Sequence, residues 1–330
     1  MKAILSKAPG GPETLVLDDA PDPVAKAGQV VVQIKAASVN FPDVLIIQDM
    51  YQYKPPRPFS PGGEAAGVIK SVGEGVKNVK VGDRVIASCG SGGFAEQVAI
   101  DADRVFPIPD SMPFDEASAF LMTYGTSYYA LKDRAHGQVG QTLLVIGAAG
   151  GVGLAAVEIG KAMGMNVIAA ASSQEKVDFA IAAGADKGLV YPAKLDRDGQ
   201  KAFSDAIKEA GGGGVDIVYD GVGGDYAEPA VRALNWEGTF LVIGFPAGIP
   251  RVPLNLALLK SCQISGVFLG AYMARNPAGY GKIVAELMQL YVQGKVKPRI
   301  SKRYPFKETP QAIRDLADRK AQGKIVVMID

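Results

Sequence analysis

Histidine and cysteine, which most often hold zinc in proteins, are scarce in this chain of 330 residues. Cys89 and Cys262 are the only cysteines, too few for a disulfide scaffold or a cysteine zinc site. His136, the only histidine, lies in DRAHGQVGQT, which supplies no partner for a metal cluster or a Ser-His-Asp triad. We therefore expect His136 to be an exposed loop residue.

The chain also lacks an excess of charge of either sign. Its 35 basic and 34 acidic residues leave a net charge of +1, which gives no reason to expect nucleic acid or a membrane surface as a partner. Gly, Lys or Ser interrupts each apolar run before it reaches the roughly 18 residues of a membrane span. The opening MKAILSKAPGGPETL has no apolar core of a signal peptide, so we expect a cytoplasmic protein.

The order of predicted elements divides the chain into two kinds of structure. Up to about residue 110, short β segments such as QVVVQIKAASVN alternate with glycine-rich turns, which predicts a small β barrel. A helix is predicted over FDEASAFLMTYGTSYYALKDRA, with Pro113 at its start. From residue 142, apolar strands such as TLLVIGA, NVIAAAS and VDIVYD alternate with helices, which is typical of a doubly wound parallel sheet. CQISGVFLG is predicted to add a further strand.

A glycine-rich loop follows the first strand of this α/β region. The sequence AAGGVG places Gly150 and Gly153 at the second and third glycines of GxGxxG, with Ala148 at the first. Gly150 would let the backbone approach a pyrophosphate, and Gly153 would let the helix pack close to the sheet. The loop backbone at Ala149, Gly150, Gly151 and Val152 is therefore predicted to bind the phosphates of a dinucleotide at a helix N-terminus.

The end of the next strand indicates which dinucleotide is bound. An NAD site is expected to carry Asp or Glu about 20 residues past the loop, to hold the ribose 2′-hydroxyl. That position holds Ser172, followed by Ser173 and Lys176. Two hydroxyls and an ammonium can bind a 2′-phosphate, so the sequence predicts NADPH.

Seven motifs occur in order across nearly the whole chain: NFPDVLIIQDMY, PGGEAAG, VGDRV, GGFAEQ, TYGTSYYAL, GAAGGVG and YDGVGGD. Together they resemble the zinc-free NADPH:quinone oxidoreductase (zeta-crystallin-like) branch of the medium-chain dehydrogenase/reductase superfamily. The resemblance implies a GroES-like barrel domain at 1–122, a Rossmann NADPH-binding domain at 123–267 and a return to the barrel domain at 268–330. The active site would lie in the cleft between the domains.

The zinc alcohol dehydrogenases of that superfamily hold a catalytic metal with Cys, His and Cys. Here those places hold Asn40, Gly63 and Met122, and the structural zinc lobe is missing. Glu64 remains, but one carboxylate does not hold zinc. We therefore expect no metal site. Without a Lewis acid, reduction of an already electrophilic carbonyl or quinone is favoured over alcohol oxidation.

The resemblance also implies roles for further residues. Tyr51 matches a frequent family tyrosine that could hydrogen-bond the substrate carbonyl or deliver a proton, and Tyr53 competes for that role. Asn40 could donate to a substrate oxygen, while Asp43 is expected to cap a helix. The remaining residues would contact the cofactor, near its nicotinamide or its adenine: Thr126, Tyr191, Gly244 and Phe268.

The sequence therefore predicts an NADPH-dependent reductase of quinones or α,β-unsaturated carbonyls, acting on a small electrophilic molecule by hydride transfer. An enoyl-thioester reductase is an alternative, with Lys54, Arg57 and Arg275 as candidate contacts for CoA phosphates. A non-catalytic NADPH-binding protein on the same fold is another. CQISGVFLG reads as an apolar edge strand, and with the family analogy it suggests a homodimer.

Overall fold

The computed structural model describes residues 1–192, 194–319 and 321–329, and the chain divides into two compact units. Unit 1 comprises Met1–Met122 and Pro298–Asp330, and unit 2 comprises Thr123–Lys297. The chain thus begins in unit 1, continues in unit 2 from Thr123 and enters unit 1 again at Pro298. The domain bounds at 122 and 267 stay predictions.

All five of the β segments named above form strands. The strands are β1 (Lys2–Ser6), β2 (Leu15–Asp19), β3 (Gln29–Ser38), β4 (Ala65–Val72), β5 (Arg84–Ala87), β6 (Gln97–Asp101), β7 (Val105–Pro107), β8 (Thr142–Ile146), β9 (Asn166–Ala171), β10 (Lys187–Val190), β11 (Val215–Asp220), β12 (Leu234–Val242), β13 (Gln263–Gly266), β14 (Ile300–Pro305) and β15 (Lys324–Met328).

The α-helices are α1 (Phe41–Ile46), α2 (Phe114–Ser118), α3 (Thr126–Tyr128), α4 (Gly151–Ala162), α5 (Gln174–Ile181), α6 (Arg197–Ala210), α7 (Ala227–Arg232), α8 (Asn255–Lys260), α9 (Leu269–Arg275), α10 (Pro277–Val292) and α11 (Thr309–Ala317). Among the described residues, no helix has both the length and the apolar character needed to cross a bilayer.

Unit 1 is built on a seven-stranded sheet in the order β14-β15-β3-β4-β5-β7, with β6 also paired to β3. Strand β3 is central: it pairs antiparallel with β4, β6 and β15. Its ten residues are mostly buried and apolar, as expected for a strand with neighbours on both sides. The last strand of the chain, β15, therefore lies between β14 and β3, inside the sheet.

Unit 2 is built on a six-stranded sheet in the order β10-β9-β8-β11-β12-β13. Every neighbouring pair is parallel. The order corresponds to 3-2-1-4-5-6, that of the doubly wound dinucleotide-binding sheet, and it confirms the predicted α/β class. The order reverses between β8 and β11, and in such sheets ligands bind at the carboxyl ends of the strands at that point.

The helix predicted over 114–135 is interrupted. Pro113 caps α2 as expected, but α2 ends at Ser118. The Ser118 hydroxyl donates to the carbonyl of Asp115 at 2.9 Å, a local bond that competes with continuation of the helix. A second helical segment follows over 121–134, in which α3 is flanked by wider π turns.

The segment after β13 belongs to unit 2. Strand β12 ends at Val242, whose partner on β13 is Gly266, so the strand predicted over CQISGVFLG ends before Phe268. Helices α9 and α10 follow and pack within unit 2. Tyr272 stacks on Tyr129 with ring centroids 4.4 Å apart, and Lys132 pairs with Glu286 at 2.5 Å.

Candidate functional site

The loop between β8 and α4 has the geometry of a phosphate-binding turn. Gly147 directly follows β8 and has φ +79°, a conformation that favours glycine. Its N–H and that of Ala148 donate to the Ala170 carbonyl of β9. Gly150 has extended backbone and caps α4. A Cβ on Gly153 would lie 2.2 Å from the Gly147 oxygen, so only glycine allows this approach of helix to loop.

This geometry confirms the predicted role of Gly153 in close packing. It also identifies Gly147 as the residue that makes the turn. The predicted GxGxxG match begins at Ala148 and does not include Gly147. Helix α4 begins at Gly151, so the N–H groups of its first turn have no partners within the helix and are available to an anion.

The residues that follow β9 lie beside this loop, because neighbouring parallel strands end at the same edge of a sheet. The Lys176 ammonium lies 3.4 Å from the Ser172 hydroxyl, so the two predicted phosphate contacts are adjacent. Ser173 caps α5, and its hydroxyl oxygen accepts the Lys176 N–H at 3.4 Å. The predicted trio therefore forms one polar group at the start of α5.

Three further residues of unit 2 are predicted to contact the cofactor, and they differ in position and exposure: Gly244, Phe268 and Tyr191. Gly244 follows β12, and Phe268 follows β13, where it is half exposed, so both lie past carboxyl ends of the sheet. Tyr191 is 6% exposed, and its ring packs against Tyr226 and Phe203 with centroids 4.6 and 5.8 Å away. Tyr191 thus belongs to the apolar core of unit 2.

Two residues that the sequence did not single out hold the glycine loop. Thr126 was the predicted residue in α3, but its neighbour Ser127 donates to the Val152 carbonyl in α4 at 2.8 Å. The same hydroxyl lies 2.8 Å from that of Tyr219 on β11. Asp220, at the end of β11, accepts the N–H groups of Val222 and Gly223 at 2.9 Å each and so fixes the next loop at this edge.

In unit 1, the buried polar residues near Asn40 form a connected network. The Asp43 carboxylate accepts the backbone N–H of Asn40 at 2.8 Å, which confirms its predicted capping role at α1. Its other oxygen accepts the N–H groups of Gly62 and Gly63 at 3.1 Å. Asp43 thus ties the start of α1 to the loop before β4.

The Asn40 side chain is itself fully engaged. Its Nδ2 donates to the Ser38 hydroxyl at 3.1 Å, and its Oδ1 accepts from the Lys324 ammonium at 2.5 Å. Ser38 donates in turn to Glu64 at 3.2 Å, and the other Glu64 oxygen accepts the Met122 N–H at 3.0 Å. These bonds join β3, β4 and β15, and they give Asn40 partners within the protein at both ends of its amide.

Burial dominates the electrostatics of this network. Desolvation raises the pKa of Glu64 to about 7 and the pKa of Asp43 to about 6, although Lys324 and several N–H donors act in the opposite direction. Desolvation also lowers the pKa of Lys324 to about 8, against the attraction of both carboxylates. Burial therefore opposes the charged form of all three groups.

The two candidate tyrosines differ in environment. Tyr51 is half-buried against the apolar core of unit 1, and its pKa is raised by burial and by the charge of Asp43. Tyr53 is 51% exposed. Arg57 anchors their loop, since its guanidinium donates to Asp49 at 2.8 Å and to the Ile47 carbonyl at 3.0 Å.

Three residues of unit 1 occupy the zinc-ligand positions of the related alcohol dehydrogenases: Asn40, Gly63 and Met122. Their side chains do not suit a metal. The Met122 methyl lies 2.9 Å from where a Cβ of Gly63 would be, and Gly63 has no ligand atom of its own. The Asn40 amide is used by Ser38 and Lys324. Within 1–192, 194–319 and 321–329, no three His, Cys, Asp or Glu side chains group as metal ligands.

The His136 side chain is exposed, as expected.

Two family models match separate parts of the chain. Residues 26–110 match the alcohol dehydrogenase GroES-like domain, and residues 151–287 match the family described as zinc-binding dehydrogenase. Quinone oxidoreductase-like protein 2 of Bos taurus is 34% identical over 96% of this chain and 89% of its own length. Quinone oxidoreductase of Rattus norvegicus is 32% identical over 100% of this chain and 98% of its own.

A solved structure agrees over the full length. The Escherichia coli quinone oxidoreductase complexed with NADPH is 29% identical, with a TM-score of 0.90 and coverage of 100% of both chains. These matches confirm the GroES-like and Rossmann classes predicted for the two domains. The chain belongs to the quinone oxidoreductase family of the medium-chain dehydrogenases/reductases.

The raised pKa of Glu64 predicts a dependence of stability on pH. In the folded protein Glu64 keeps its proton up to about pH 7, whereas the unfolded chain releases it near its ordinary pKa of 4.5. The stabilisation is therefore complete below about pH 4.5 and is lost as the pH rises through 7, on the order of 3 kcal/mol in total.

Urea unfolding of the wild type and of Glu64→Gln between pH 5 and 7.5 measures this effect. The wild type should lose more unfolding free energy over that range than the variant, which keeps only the fall contributed by other acids with a raised pKa, Asp43 among them. Equal slopes for the two proteins would show that Glu64 is ionised in the folded state throughout.

Proposed function

We propose that this protein is an NADPH-dependent reductase that transfers hydride to quinones or α,β-unsaturated carbonyls without a metal ion. The observation that carries the proposal is the turn at Gly147. This turn places the N-terminus of α4 at the carboxyl end of the unit 2 sheet, where the strand order reverses between β8 and β11. Membership of the family supports it, since a full-length relative is a quinone oxidoreductase complexed with NADPH.

The residues of unit 2 suit this cofactor. The backbone of Ala149, Gly150, Gly151 and Val152 would hold the pyrophosphate, where N–H groups and the helix dipole favour an anion. Ser172, Ser173 and Lys176 would hold the 2′-phosphate. We place Thr126, Tyr191, Gly244 and Phe268 along the rest of the cofactor. When bound, NADPH supplies the hydride, and the protein supplies binding, orientation and exclusion of water.

The preference for NADPH is tested by substitution at the start of α5. Lys176→Ala removes a charge-assisted contact and should raise the KM for NADPH about tenfold, while the KM for NADH changes little. Ser172→Asp should act in the same direction by repelling the 2′-phosphate. Lys201→Ala, at an exposed lysine of α6, is the matched control. If both cofactors lose affinity equally, the 2′-phosphate does not bind here.

The metal-free part of the proposal follows from the side chains of unit 1. Zinc requires several Cys, His or carboxylate ligands, and Gly63 and Met122 supply none of them. An electron-poor acceptor needs less activation than an alcohol, and a hydrogen-bond donor at its oxygen can stabilise the charge that develops. We propose a small electrophilic molecule of this kind as the substrate.

Tyr51 is the proposed donor of that hydrogen bond or proton. Burial and Asp43 raise its pKa, so the phenol keeps its proton at neutral pH. Tyr53 is the exposed alternative, and Asn40 lies close by in sequence with its amide engaged. Arg57, one of the candidate contacts for a CoA phosphate, is already paired with Asp49, which favours quinones and enones over enoyl thioesters.

Tyr51→Phe tests the assignment, because it removes only the hydroxyl. The kcat for enone reduction should fall by about tenfold or more if Tyr51 donates the proton, with the KM for NADPH unchanged. Tyr53→Phe is the matched control and should keep its activity. An unchanged kcat in Tyr51→Phe would remove Tyr51 from the mechanism. A screen of NADPH consumption with quinones, enones and crotonyl-CoA fixes the substrate class.

We also propose that the protein is a homodimer joined at β13. This strand is last in the order of the described sheet, and the chain around it exposes large apolar side chains, among them Leu258 at 80% and Ile264 at 41%. An unpaired apolar edge strand is a ready surface for pairing with a second copy.

Light scattering tests the assembly through the molar mass in solution. The wild type should have twice the 34.5 kDa of one chain. Ile264→Glu places a charge in the proposed interface and should shift the mass toward the monomer, whereas Val139→Glu, at an exposed residue of a loop in unit 2, should not. A monomeric wild type would refute the dimer.

A further inference from the structure

Unit 1 contains a lysine in a position where lysine is rarely found. Lys324 is 5% exposed at the start of β15, and its ammonium donates to the Val39 carbonyl at 3.0 Å and to Asn40 Oδ1 at 2.5 Å. Burial of an ammonium is costly unless opposite charge compensates it. The neighbouring charges that attract it are the carboxylates of Asp43 and Glu64, which are 2% and 1% exposed.

The ammonium also decides which way the Asn40 amide faces. Oδ1 accepts from Lys324, and Nδ2 donates to the Ser38 hydroxyl and carbonyl at 3.1 and 3.3 Å. A flipped amide would turn its NH₂ group toward the ammonium, so two donors would face each other in a buried site. Lys324 therefore holds the Asn40 side chain in one orientation.

The same region is where the metal-dependent relatives would place a cation. Here Asn40, Gly63 and Met122 cannot bind zinc, yet two buried carboxylates remain. A site that lacks the metal cation but keeps the carboxylates of Asp43 and Glu64 would hold an excess of buried negative charge. The chain places a positive side chain against Asn40, and that side chain is electrostatically coupled to both acids.

We propose that the ammonium of Lys324 is the internal cation of unit 1: it balances the Asp43 and Glu64 carboxylates and fixes the Asn40 amide. Lys324 is thus a positioning residue for the reduction, since Asn40 begins α1, the helix that precedes Tyr51. Its part in the reaction rests on the proposed function, whereas its part in charge balance does not.

The charge balance is tested by thermal melting of a double-mutant cycle at pH 7.5, where the Asp43 and Glu64 carboxyls are mostly ionised and Lys324 is mostly protonated. Lys324→Met removes the ammonium, so the carboxylates lose their compensation and the Tm should fall by about 10 °C. Adding Glu64→Gln removes one of the two acids and should recover part of that loss. Lys302→Met, at an exposed lysine of the adjacent strand β14, is the matched control and should change the Tm by less than about 2 °C.

Because Lys324→Met can be too unstable to accumulate, the same comparison is made with Lys324→Gln, which loses the charge and keeps a hydrogen-bond donor. In either background, a double variant that is no more stable than the corresponding Lys324 single variant overturns the role in charge balance.

The positioning role is tested by kinetics of two variants that carry the same charge. Lys324→Met/Glu64→Gln lacks a donor to Asn40 and should lose about tenfold or more in kcat relative to Glu64→Gln, with the KM for NADPH within about twofold. Lys324→Gln/Glu64→Gln retains a donor and should recover much of that loss. Equal kcat in the two double variants overturns the role. If the wild type reduces no acceptor, the proposed function fails and the positioning role with it, while the melting comparison still decides the charge balance.

Discussion

The constraint on which unit 1 depends is that charges removed from water must find partners inside the protein. Asp43, Glu64 and Lys324 are all buried, and each is held by hydrogen bonds to groups on other elements. The bonds that satisfy them join β3, β4, β15 and the start of α1. The electrostatic requirement thereby determines the geometry around Asn40, since its amide lies between an ammonium and a hydroxyl and its orientation is set by both.

Unit 2 is organised by a constraint of space. Helix α4 can reach the carboxyl end of the sheet only because Gly153 lets it approach the Gly147 carbonyl. The loop is then held on two sides, by the Ala170 carbonyl of β9 and, through Ser127, by the hydroxyl of Tyr219 on β11. Both strands flank β8, so the loop that would bind phosphate is fixed by its immediate neighbours in the sheet.

The features that the sequence predicted are local ones. Alternating apolar strands and helices gave the parallel sheet, the glycine spacing gave the role of Gly153, and the position of Asp43 after Asn40 gave its capping role. Apart from Gly147, which directly precedes the predicted motif, the site features that it missed depend on contacts between residues far apart in the chain. Lys324 and Asn40 are separated by 284 positions, and Ser127 and Tyr219 by 92. No spacing pattern reports such pairs, and a lysine near a strand is usually read as solvent-exposed.

The position of β15 inside the sheet of unit 1 has a consequence for synthesis of the chain. This strand pairs with β3 on one side and β14 on the other, and it brings Lys324 to Asn40. When the ribosome has made the first 122 residues, β3 still lacks this partner, and Asp43 and Glu64 lack their cation. All strands of the parallel sheet of unit 2 are made before that cation appears. Unit 1 begins first and is completed last, so its early segment spends most of translation without the residue that neutralises its core.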